Sequence, residues 1–481
     1  MNIKNKAVWA LILIADFLFL AYFSVLSVNA RPHFDDLAFL TMLKDMSIPE
    51  YIHSYYVNES GAFIGYFVNG LLFSAINLFG HAKILPILWI LLGVVICCCA
   101  VRVYSGSFIW REQLPIVVLL YSIYIFANLD AAISFWFCGM SYCLKGPLAL
   151  LLLSFISRRS LCKTDVLVVG LLAFWIGGEN AAFSCVMLAT LGIYALTILG
   201  SYKWKLSSAF EDTRGKKVLL ALSAMLVSFA VVVVAPGNYV RLGSPEFETM
   251  QRPASIFEWL IICVKCMATY CYFLAFNIHW YAIAGGTAWF WGKSAKKRIS
   301  LSRRVIYCLA GFWLVELVLF SMPQSFLFGG FGYQRVWTPM CFVTMVCVAV
   351  SFYILGNTSA KDINFSIPTC CAGLALLSAV LIWHIGTDSK AVTEYSQAYD
   401  ARWAELSSVP SEQTETIVLE KLKTPYTTDL KFDIYSLIGR QKNTRPELYY
   451  VPDSAPDLHV GALRDYFKIK AKIEIVEPAG K

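Results

Sequence analysis

The sequence predicts an all-α polytopic membrane protein of about 11 transmembrane helices, joined to a small α+β extracytoplasmic C-terminal domain. Three observations carry that expectation. Hydrophobic residues make up 58% of the chain and charged residues 15%, and the mean hydropathy is +0.61; an ordinary soluble domain has roughly 25% charged residues. Apolar runs near bilayer length recur through the first four fifths of the chain. From Thr387 onward hydropathy drops and charge rises.

The first run, 7–29, exceeds the roughly 20 residues at 1.5 Å each that cross a bilayer. Its apolar core is too long for a cleavable signal peptide, and no small-residue cleavage site precedes Arg31-Pro32. Further crossings are expected at 84–101, 114–130, 143–157, 164–178, 181–200, 218–235, 274–291, 304–322, 335–356 and 366–386. The linkers between them fall into two classes. One is basic: Lys4 and Lys6; Arg102 and Arg111; Arg158, Arg159 and Lys163; Lys203, Lys205, Arg214, Lys216 and Lys217; and Lys293 to Arg304. The other is poor in Lys and Arg. The positive-inside rule makes the basic set cytoplasmic, which puts the N-terminus inside and the C-terminal domain outside.

Two apolar stretches break that parity. Counting 61–80 or 255–273 as a crossing would move basic linkers outside. The first carries Tyr66 and Asn69 and is expected to lie along the outer membrane face. The second contains Glu258 and Lys265 and is expected to be interfacial or re-entrant. The domain division is therefore 1–386, with interfacial helices in outer loop 30–83, and 387–481. In the tail, 389–406 has the spacing of a helix with Tyr395, Tyr399, Trp403 and Leu406 on one side. Strand-like stretches follow at 416–422, 430–438, 447–451 and 467–476, the last alternating with period two.

This topology gathers the unusual polar motifs on the outer face. Asp35 and Asp36 follow the first crossing. Trp136 lies in the second outer loop, with Lys145 beyond it. Glu179-Asn180, Pro236-Gly237-Asn238-Tyr239-Val240-Arg241 and Gln334-Arg335 complete the set. Each has a plainer explanation. Asp35 caps a helix beginning at Asp36; Pro236-Gly237-Asn238 is turn chemistry; Trp136 belongs to an aromatic belt; Arg241 and Arg335 snorkel to headgroups. Convergence on one face favours a site. Glu316, inside a crossing, is expected to face the bundle interior.

The net charge of +8 is spread over membrane linkers and implies no nucleic-acid partner. Most of the cysteines lie in apolar runs, where they act as small apolar residues. No zinc spacing, Walker loop or dinucleotide-binding glycine pattern is present in the sequence, which argues against direct use of a nucleotide sugar.

The acidic pair after the first crossing, the outer loop with interfacial helices, the many crossings and the outer tail resemble the GT-C superfamily of glycosyltransferases. Phe34-Asp35-Asp36 resembles its first-loop acidic motif. Phe135-Trp136-Phe137-Cys138-Gly139, Gly178-Glu179-Asn180 and Pro236-Gly237-Asn238-Tyr239-Val240-Arg241 are similar to segments of bacterial members acting on surface polysaccharides, among them phage-type O-antigen glucosyltransferases. The resemblance implies a bacterial inner-membrane enzyme. It would move a sugar, glucose in the narrower comparison, from a polyprenyl-phosphate donor to a cell-surface glycan such as O-antigen. Asp35 or Asp36 would serve as base, or the pair as ligands of a divalent metal. Arg241, Arg335 and Lys145 would hold the donor phosphate. Glu179, Asn180, Asn238, Tyr239 and Trp136 would orient substrate. A lipid-linked glycan flippase, or an O-antigen ligase or polymerase, is the alternative. A flippase should show internal repeats and broken mid-membrane helices, and a ligase a large catalytic loop between later crossings.

Overall fold

The computed structural model describes residues 3–32, 34–79, 82–127, 140–158, 162–243, 253–295, 304–330, 337–358, 367–420, 422 and 463–476. Apolar runs become helices because a buried backbone must satisfy its own hydrogen bonds, which a helix does within one segment. The chain forms α1 (Ile3–Val28), α2 (Phe34–Asp45), α3 (Ile48–Asn58), α4 (Phe63–Phe79), α5 (Leu85–Ser105) and α6 (Trp110–Ala127). Next come α7 (Met140–Ser157), α8 (Lys163–Glu179), α9 (Ala181–Ser201), the short α10 (Leu206–Glu211), α11 (Thr213–Val233) and the short α12 (Pro236–Leu242). The series closes with α13 (Ile256–Phe276), α14 (Ile278–Ser294), α15 (Arg304–Phe328), α16 (Thr338–Thr358) and α17 (Ile367–Ser408), then strands β1 (Ile417–Glu420) and β2 (Ile473–Val476). Among the described residues, eight helices are long and apolar enough to cross a membrane. The chain is a multi-pass membrane protein.

Close backbone approach sets the helix pairs. α14 lies against α16, where a methyl group at Gly292 would overlap the Tyr353 carbonyl and one at Gly356 the Trp289 carbonyl. Exposed apolar side chains, such as Phe17 on α1, Leu171 on α8 and Val264 on α13, line the outside of the bundle, where lipid is their natural solvent.

Contacts assign the helix ends. At one end, Ser27 of α1 donates to the Lys83 carbonyl at 2.5 Å, and Phe126 of α6 packs on Trp280 of α14 at 5.0 Å. At the opposite end, the buried Lys217 ammonium of α11 pairs with Asp165 of α8 at 3.1 Å and donates to the Phe155 carbonyl of α7 at 2.8 Å. The basic linkers lie at this second end.

α13 is 21 residues and apolar enough to cross, and it packs along α15 and α16. Trp259, in its first turn, donates to the Met322 carbonyl of α15 at 3.1 Å. Tyr270, near its end, stacks on Trp337 at 5.2 Å and shares a 2.8 Å hydrogen bond with Thr344 of α16. Thr344 also accepts from the Trp313 indole, midway along α15, at 2.9 Å, so α13 runs along α15 from near its last turns toward its middle. Helices α2, α3 and α4 lie at the first end, with Phe63 and Ile64 against Gly178 of α8.

The tail departs from its expectation. The crossing at 366–386 and the helix at 389–406 are one helix, α17, of 42 residues, about 63 Å at 1.5 Å per residue. The hydropathy drop at 387 marks a change of surroundings, not a break in the backbone. The alternating stretch 467–476 is also only partly a strand: 463–467 is helical and β2 begins at Ile473. Alternation there serves packing, with Ile469, Ala471 and Ile473 buried. β1 pairs in parallel with β2, Ile417 opposite Ile473. The expected strands at 430–438 and 447–451 lie outside the described residues. Leu37 of α2 joins Leu406, Ile417, Leu419 and Ile473 in one apolar cluster, so the tail packs directly on the start of α2.

Candidate functional site

Glu179 ends α8 and Asn180 begins α9. The Asn180 side-chain oxygen caps α9, accepting from the Ala182 and Phe183 amides at 3.0 and 3.3 Å. Asparagine is a favoured residue there because it fills amides the helix leaves open. A carboxylate at a helix C-terminus faces the negative end of the helix dipole. Lys145 of α7 offsets that, with its ammonium 3.4 Å from Glu179 and 3.8 Å above the Tyr142 ring. Both side chains are buried, 4% and 7% exposed. Tyr142, Lys145, Asn180, Phe183, Phe320, Pro323, Gln324 and Pro339 line a cleft here, where α7, the α8–α9 junction, α15 and α16 meet.

Arg241 sits in the last turn of α12, half-buried. Its guanidinium acts electrostatically on the Tyr66 phenol of α4. Burial pushes that phenol up to about 12; a 2.8 Å hydrogen bond with Ser60 and the charge of Arg241 oppose the rise, while Glu59 and Tyr142 add to it. Tyr66 is thus tied electrostatically both to Arg241 and to the Tyr142 ring beneath Lys145. Tyr66 stacks on Tyr55 at 4.5 Å and Tyr55 packs on Phe39 at 5.4 Å, an aromatic path leading back to α2.

Asp36 is fully buried in the first turn of α2. Burial and the Asp36 charge both raise the Tyr399 phenol above its ordinary range, with Arg402 and Arg31 opposing. The same tyrosine donates to the Pro32 carbonyl at 3.0 Å. Arg31 grips Asp400 through two 2.6 Å hydrogen bonds. Asp35 occupies the same turn of α2; its side chain is outside the described set. Asp36 is therefore enclosed by the tail extension of α17.

Asn238 is committed to the backbone. Its amide nitrogen donates to the Val232 and Val233 carbonyls at 2.6 and 3.3 Å, and its oxygen accepts from the Gly61 amide at 3.2 Å. Gly237 lies so close to Glu59 that a methyl group would come within 2.5 Å of its amide nitrogen. Pro236-Gly237-Asn238 thus locks α12 against the loop between α3 and α4 and holds Arg241 in place. Tyr239 is 65% exposed. Trp136 and Arg335 lie outside the described residues.

The structure brings Lys145, Glu179 and Asn180 together, while the charge of Arg241 is felt at Tyr66. Sequence reasoning missed Tyr66, Tyr142 and Gln324, which sit inside apolar helical runs without a motif. Glu316, as expected, faces inward, accepting from Thr190 at 2.5 Å. Among the described residues no group of three or more His, Cys, Asp or Glu side chains is placed to hold a metal ion. No protein-family model matches the chain, and no curated protein matches it significantly.

Proposed function

We propose that the protein is a glycosyltransferase of the extracytoplasmic membrane face, moving a sugar from a polyprenyl-phosphate donor to a glycan acceptor. One observation carries the reading. The acid-bearing start of α2, the Lys145–Glu179 pair and Arg241 all sit at the end of the bundle covered by α2, α3 and α4, opposite the basic linkers. A donor whose lipid lies in the bilayer and whose sugar lies at its surface meets protein at that level. The end carrying the basic linkers is, by the positive-inside rule, cytoplasmic.

In the reaction the acceptor hydroxyl oxygen forms a bond to the anomeric carbon as the bond from that carbon to the phosphate oxygen breaks. The hydroxyl proton passes to a carboxylate of the Asp35–Asp36 pair. Polyprenyl phosphate leaves as an anion, and Arg241 offers it a planar fork of donors. The residues imply no nucleotide donor. A bacterial inner membrane, with O-antigen as acceptor, fits this chemistry. Purified protein incubated with polyprenyl-phosphate sugars and glycan acceptors, read by mass spectrometry, is expected to yield a glycosylated acceptor and free polyprenyl phosphate. Absence of both across the donor panel overturns the proposal.

A further inference from the structure

Lys145 and Gln324 line the cleft at the α8–α9 junction, with Glu179 beside Lys145, and among the described residues none of the three has its hydrogen-bonding capacity filled. Lys145 has three donors but, among the described residues, its one hydrogen-bonding partner is Glu179 at 3.4 Å; its other contacts are the Tyr142 ring face and, at 6.0 Å, the Phe183 ring. A tight charge-assisted bond would be about 2.7–2.9 Å. The Glu179 carboxylate accepts no hydrogen bond from the described residues. Gln324 of α15 is 1% exposed, and its side-chain oxygen has no partner among the described residues. Buried groups of this kind are nearly always satisfied by protein, water or ligand.

We infer that this cleft binds one edge of the donor sugar, an assignment that rests on the glycosyl-transfer reading. Lys145 needs an acceptor, whereas Glu179 and Gln324 need donors. A sugar hydroxyl is both. A phosphate offers acceptors only, so it would leave the Gln324 oxygen unfilled and meet the Glu179 charge at close range. Lys145 is therefore a sugar ligand, and the donor phosphate falls to Arg241. The rings of Tyr142 and Phe183 and of the two prolines wall the space and exclude water from it. The enclosed space is about that of one water-sized group. It takes a hydroxyl or hydroxymethyl group, with the rest of the sugar outside it. Gln324 is accordingly a specificity residue that reads one hydroxyl position.

Equilibrium binding without acceptor tests this in lipid nanodiscs. The probes are short-chain prenyl-phosphate glucose and its monodeoxy analogues. Removal of one particular hydroxyl is expected to weaken binding to the unaltered protein about 5–150-fold, the range for leaving a buried partner unsatisfied. Gln324→Met should weaken the parent donor similarly and lose all further sensitivity to that one analogue. Gln324→Glu keeps an acceptor at the same reach and should keep the preference. If Gln324→Met retains the full deoxy-analogue profile, the subsite assignment falls and glycosyl transfer stands. If the unaltered protein binds neither these nor any other prenyl-phosphate sugar of the donor panel, both fall.

Discussion

Of the two adjacent carboxylates at the start of α2, the surroundings of Asp36 are described. Asp36 is enclosed beside Tyr399, and the next residue, Leu37, is part of the tail's apolar cluster. A base has to reach its substrate. Asp35→Asn is therefore expected to cut turnover by about 10²–10⁴-fold while leaving thermal unfolding in place. Asp36→Asn should lower the unfolding temperature as well. Equal turnover for both variants and the unaltered protein would return the pair to helix capping. Asn238 yields a different expectation. Asn238→Asp preserves shape but sets a carboxylate against the Val232 and Val233 carbonyls, which now receive donated hydrogen bonds. A loss of about 1–3 kcal/mol is expected, read as a lower unfolding temperature in detergent. An unshifted transition would mean that the clamp does not hold α12.

The helical elements were legible wherever an apolar run had clear ends, because lipid leaves the backbone few alternatives. α13 was legible as an apolar helix, and only parity with its basic neighbours Lys293 and Arg304 set it apart from the crossings. α17 was not legible. A hydropathy fall at Thr387 looks the same whether a helix ends or merely leaves the membrane. The signal was available at shorter range, since Tyr395, Tyr399, Trp403 and Leu406 continue a helical face. Glycines show how element packing discriminates between similar residues. Gly386, in the middle of α17, has nothing within 4 Å of an added methyl. Gly386→Ala should stabilise by about 0.5–1 kcal/mol through helix propensity. Gly292→Ala, at the α14–α16 crossing, should destabilise by about 1–3 kcal/mol through overpacking. Unfolding temperatures that move the same way for both would refute this account. The site was less legible than the helices: Lys145, Glu179 and Arg241 stood out as charges in apolar sequence, whereas Tyr66 and Gln324 gained their role only from the folding of distant helices onto one end.

Across the whole molecule, the two ends of the bundle differ in charge, and orientation follows from that difference. In a background without native cysteines, Ser411→Cys in the tail should react with an impermeant thiol reagent applied from outside. Ser207→Cys, at the basic end, should react only after the inner face is opened. The reverse pattern would invert the orientation and remove the extracytoplasmic reading.

The pairing of α1 with α17 also bears on how the protein is made. Tyr22 and Asp388, joined at 2.9 Å, are 366 residues apart; Asn29 with Ser396 and Arg31 with Asp400 are each about as distant along the chain. At about 5–20 residues per second, a ribosome needs roughly 20–70 s between emitting the first partner and the second. For that interval the earliest helix sits in the bilayer with its polar flank unmatched, open to insertase, chaperone or protease. α17, synthesised long after α1, closes this seam, so a nascent chain cut short before α17 is an incompletely assembled substrate for quality control.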